Sequence, residues 1–189
     1  MNAQNTIETR LLDEKIISAG NNNVKANSIL YVHGLSSSGS SSTAGFLRQL
    51  LPEYDILSPD LPIDPQEACI LLKELCELHH PALVIGTSMG GMFAQQLRGY
   101  KKILVNPAFH VSEFMRTQLG VRPFLNPRKD GETQYEITAE LCDRYQAMET
   151  NQFADISAYD IENTYALFGK HDPLVQGHDE YVLHYRNAE

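Results

Sequence analysis

The chain has 189 residues, 42% hydrophobic and 21% charged, which suits one globular domain with a core of its own. Its formal net charge of −9 repels nucleic acid and anionic membranes, so neither is expected as a partner. No apolar run reaches the length of a membrane helix, and the polar stretch Met1 to Arg10 carries no signal segment.

Residues 1–27 read as an N-terminal extension of uncertain structure, and the regular pattern runs over 28–189. Ser28–Val32 predicts a strand ending at His33-Gly34. A serine-rich loop, Ser36 to Ser42, follows, and its low complexity predicts flexibility. Ala44–Leu51 predicts a short helix stopped by Pro52, and Tyr54–Leu57 a second strand. Gln66–His79 places Ala68, Leu71, Leu72, Leu75, Cys76 and Leu78 on one apolar face of a helix. Ala82–Ile85 and Lys101–Val105 predict two further strands, and Tyr165–Phe168 the last. Short, nearly all-apolar strands alternating with helices indicate a mostly parallel sheet covered on both faces. Residues 108–162 interrupt that alternation. They predict helices near 112–119 and 136–149, separated by turn residues, and a small cap-like insertion above the carboxyl ends of the strands.

Cys69, Cys76 and Cys142 form no C-x-x-C and read as core thiols. An odd cysteine count without a signal segment points to a reducing, cytoplasmic setting. The seven histidines show no H-E-x-x-H, and neither a metal nor another cofactor is expected.

Gly86-Thr87-Ser88-Met89-Gly90 follows the strand 82–85 and precedes the helical stretch Gly91 to Arg98. Strand, tight turn with Ser at its tip, helix: this is where G-x-S-x-G acts as a nucleophile elbow. A serine hydroxyl needs a base to take its proton, an acid to orient that base, and two donors for the oxyanion. The expected donors are the amide of Met89, at a helix N-terminus, and the amide of Leu35, in the loop after the first strand. His33, Gly34 and Phe109 are expected at the substrate, with His33 read as part of the donor loop rather than as the base. Asp172, just past the last strand, is the expected acid; the alternative is a helix cap for the pattern Gln176 to Tyr185.

Tyr31-Val32-His33-Gly34, Ser58-Pro59-Asp60-Leu61-Pro62, Gly86-Thr87-Ser88-Met89-Gly90-Gly91, Val105-Asn106-Pro107-Ala108 and Gly169-Lys170-His171-Asp172 follow the order seen in α/β-hydrolases. Over residues 28–186 the chain resembles, more narrowly, the small bacterial YqiA-like esterases. The resemblance implies a three-layer fold and a cofactor-free, cytoplasmic serine esterase acting on short carboxylic esters, with Ser88 as nucleophile and Asp172 as acid. It also implies a catalytic His after one further strand, in a Gly-rich turn. No Gly-Gly-x-His follows Asp172 before Glu189. The expectation is therefore that the last strand and its His are missing from this chain, or that the base has been lost. A short ester or thioester is the expected substrate. The alternative is a weak or inactive scaffold that binds a small ligand or partner. A last strand left as an unpaired apolar edge would favour a homodimer.

Overall fold

The computed structural model describes residues 27–170 and 177–188. Six parallel strands form one sheet in the order β2-β1-β3-β4-β7-β8. They are β1 (Ser28–Val32), β2 (Asp55–Leu57), β3 (Leu83–Thr87), β4 (Lys102–Val105), β7 (Thr164–Leu167) and β8 (Asn187–Ala188). Strand residues alternate between two apolar layers. Leu30, Val32, Val84, Leu104 and Ala166 enter the larger core with α2 (Pro65–His79) and α3 (Met89–Gln95). Ile29, Tyr31 and Ile56 face a smaller cluster under α1 (Ser42–Leu50). Burial on both faces is what all-parallel pairing requires, and it explains why these strands read as apolar throughout.

Helix boundaries follow local chemistry. The Asp64 carboxylate caps α2 by accepting the Gln66 and Glu67 amides, with Pro65 at the first helical position. Ser41 caps α1 by accepting the Ala44 amide at its hydroxyl. The expected bare edge at Tyr165–Phe168 is corrected: α7 (His178–His184) leads into β8, whose Asn187 and Ala188 pair with Tyr165 and Ala166.

Between β4 and β7 lie α4 (Val111–Arg116), α5 (Ala139–Asn151) and α6 (Ala158–Asn163). A hairpin of β5 (Gly120–Pro123) and β6 (Gln134–Ile137), antiparallel, stands between α4 and α5. Tyr135, Ile137, Leu141, Cys142 and Tyr145 of this segment join the larger core, so it shares its interior with the sheet. Buried Glu149 of α5 fixes α4 by accepting the Ser112 amide (2.8 Å) and hydroxyl (2.5 Å). No helix among the described residues is long and apolar enough to cross a membrane.

Candidate active site

Ser88 stands between β3 and α3 at φ 53°, ψ −123°, a strained conformation for a residue with a Cβ. Close packing around it permits only glycine at two neighbours. A Cβ on Gly90 would lie 2.0 Å from the Val32 carbonyl, and one on Gly86 would lie 2.4 Å from the Gly90 carbonyl. The turn is held by its backbone: the Ser88 amide donates to Val105 (3.0 Å), and the Ser88 carbonyl accepts from Gly91 (2.8 Å) and Ala108 (3.0 Å). The serine side chain caps nothing. Met89 opens α3, so its amide has no intrahelical acceptor and is free for a ligand.

Ser88 lies on the wall of a cavity of about 630 Å³. Gly34, Leu35 and Ser36 of the loop after β1 form one side; a Cβ on Gly34 would sit 3.3 Å from Ser88 Cβ. Pro107, Ala108, Phe109, Val111 and Phe114 form the other, with Leu125 from the hairpin loop and Gly177 before α7. The lining is largely apolar, and its charged members are Glu113, Glu180 and, when protonated, His110. His110 Nε2 lies 2.6 Å from Glu180 Oε2, joining the start of α4 to α7.

Of the residues expected from sequence, Ser88, Gly34, Leu35 and Phe109 meet at this cavity, and Met89 adjoins Ser88. Asp172 and its neighbour His171 lie outside the described residues. Their flanks reach the same sheet end: the Gly169 amide donates to Asn106 Oδ1 (2.7 Å), and Gly177 packs on Pro107 and Phe109.

His33 is corrected from a substrate contact to a structural residue. It is 2% exposed and does not line the cavity. The Leu61 amide donates to its Nε2 (3.2 Å), so the ring proton sits on Nδ1 and is given to the Gly34 carbonyl (2.9 Å). Burial holds its pKa below 6.5, against the pull of that carbonyl and of Asp60, and keeps the ring neutral. His184 stacks on Phe153 with ring centroids 4.0 Å apart, and His178 packs against Phe168. Neither lines the cavity; His110 does. Sequence reasoning passed over His110, although it stands five residues past β4, on the same strand end as the other site residues.

The serine-rich loop is not slack, as composition suggested. The Leu125 amide donates to the Ser36 carbonyl (2.7 Å), Ser36 Oγ bonds Tyr135 Oη (2.5 Å), and Ser38 Oγ donates to the Pro127 carbonyl (2.7 Å).

A family model described as an uncharacterised protein family, UPF0227, matches residues 28–186. The chain belongs to this family. In structure it is similar to an alpha/beta superfamily hydrolase from Oenococcus oeni PSU-1, at 17% identity and a TM-score of 0.54, covering 87% of this chain and 82% of that one. It is similar also to NosK from Streptomyces actuosus, at 16% identity and a TM-score of 0.50, covering 86% and 85%. This UPF0227 member thus has the α/β-hydrolase fold, with its strained serine in the turn between β3 and α3.

Proposed function

We propose that the protein is a serine hydrolase that opens short carboxylic esters, or thioesters, through an acyl-enzyme on Ser88. One observation carries this reading: a strained serine whose side chain makes no capping bond, beside a helix-terminal amide, on the wall of an apolar cavity. Ser88 Oγ attacks the acyl carbon as its proton passes to a base. The carbonyl oxygen becomes an oxyanion that accepts from the Met89 and Leu35 amides. Collapse expels the alcohol or thiol with that proton, and water then frees the acid. Asp172 is the acid that orients the base. Phe109, Val111 and Phe114 give the acyl chain an apolar wall, and the volume suits a small substrate.

A second reading, a weak catalyst or ligand-binding scaffold, draws support from the histidines. His33, His178 and His184 are each engaged away from Ser88. A fluorophosphonate probe and p-nitrophenyl esters of increasing chain length separate the two readings. The hydrolase reading expects labelling at Ser88 and turnover of the shorter esters, both lost in Ser88→Ala. A folded protein that is not labelled at Ser88 favours the scaffold. His110→Gln shows whether the cavity histidine is the base, since general-base loss costs about 10²–10⁴ in rate.

A further inference from the structure

The loop from His33 to Ser41 carries the Leu35 amide, and its internal bonds are short turns: Ser37 N–H to the Gly34 carbonyl (3.2 Å), Ser41 N–H to the Ser38 carbonyl (3.2 Å) and Ser40 N–H to Ser38 Oγ (3.1 Å). Two other segments anchor those turns to the rest of the fold. Buried Asp60, after β2, accepts from the Gly39 amide at Oδ1 (2.7 Å) and from the Lys129 amide of the hairpin loop at Oδ2 (2.6 Å). One carboxylate thus joins the donor loop to the β5–β6 connection. Gly39 seats directly on the β2 exit: a Cβ there would be 2.1 Å from the Ser58 carbonyl. Next to Asp60, Leu61 gives its amide to His33 and accepts at its carbonyl from Arg128 Nη1 (3.2 Å). The Arg128 guanidinium lies 4.3 Å over the Phe124 ring. Adding Ser36 to Tyr135 and Leu125, the chain on both sides of Leu35 is tied down, and these long-range ties run to the hairpin or to the segment Ser58–Leu61 after β2.

We propose that Asp60 is a positioning residue for the Leu35 oxyanion donor, and that the β5–β6 hairpin acts on the reaction through it and through the Tyr135–Ser36 bond. The proposal rests on the acyl-enzyme reading above. Oxyanion stabilisation depends on donors about 2.7–3.1 Å from the developing charge, and a misplacement of about 1 Å costs up to about 10² in rate. Asp60 touches no substrate; it does not line the cavity. Its loss therefore weakens the transition state and leaves ground-state binding in place.

Two variants test this. Asp60→Asn keeps the shape but turns one acceptor into a donor facing an amide. Tyr135→Phe removes only the hydroxyl on Ser36 and leaves the buried ring, so it reports even where Asp60→Asn folds poorly. The readouts are the fluorophosphonate labelling rate, resolved into its maximal rate and half-saturating concentration, and inhibition by phenylboronic acid, whose tetrahedral adduct needs the oxyanion donors. Asp60→Asn is expected to lower the maximal rate and boronate affinity about tenfold or more, with half-saturation unchanged. Tyr135→Phe is expected to act in the same sense by about threefold. If either folded variant keeps its rate, or changes half-saturation alone, the proposal is overturned while the acyl-enzyme reading stands. If the wild-type protein is not labelled at Ser88, both fall together.

Discussion

At Ser88, a φ of 53° and ψ of −123° hold strain that the surrounding packing must offset. Glycine carries no such penalty, so Ser88→Gly should raise stability by roughly 0.5–1 kcal/mol while removing all labelling. Urea unfolding of the two forms checks this; a less stable glycine form would mean that the hydroxyl helps hold the fold. The elbow was legible because its glycines and flanking elements are contiguous in the chain. His33 was legible only in part. Its place after β1 pointed to the donor loop, but nothing local told that Leu61 would occupy its second nitrogen.

Elements announced by short-range chemistry read well, and those made by distant pairing did not. The strands β1 and β3, and α2 with Asp64 before it, follow from apolar runs and a cap. The hairpin was hidden because Gly120 and Pro123 bound a four-residue strand and so read as turns, and its partner begins at Gln134. In the same way Lys102 marks a strand whose first residue is fully buried, which its sequence neighbours do not explain. Its ammonium lies 2.6 Å from Asp160, which completes the capping box of α6 with Ser157 and also accepts the Gly99 amide. Burial would raise the Asp160 carboxyl, but Lys102, Ser157 and Gly99 bring it down to about 2. Lys102→Met leaves that carboxylate buried and short of its cation, at an expected cost of about 3–5 kcal/mol. Denaturant unfolding at neutral pH measures it; a cost below about 1 kcal/mol would mean that the Ser157 and Gly99 bonds suffice.

Across the whole molecule, one apolar interior joins the sheet, α2, α3, the insertion and α7. The alternation of strands and helices foretold that architecture, but not that an insertion with so many polar residues would contribute to its centre. Three fully buried tyrosines lie in this interior. Tyr145, Tyr181 and Tyr185 are each at most 2% exposed, and their hydroxyls bond Ile63, Thr164 and Gln95. Burial pushes the Tyr185 phenol up to about 12 and raises the other two as well. An unfolded tyrosine ionises near pH 10, so above that pH the unfolded chain loses protons that the native one keeps, and stability falls as pH rises. Alkali should therefore unfold this protein cooperatively. The buried phenols should ionise in one step, together with the loss of far-ultraviolet dichroism. With 9 tyrosines and no tryptophan in the chain, phenolate absorbance reads that step directly, a built-in optical gauge of whether α7 is docked.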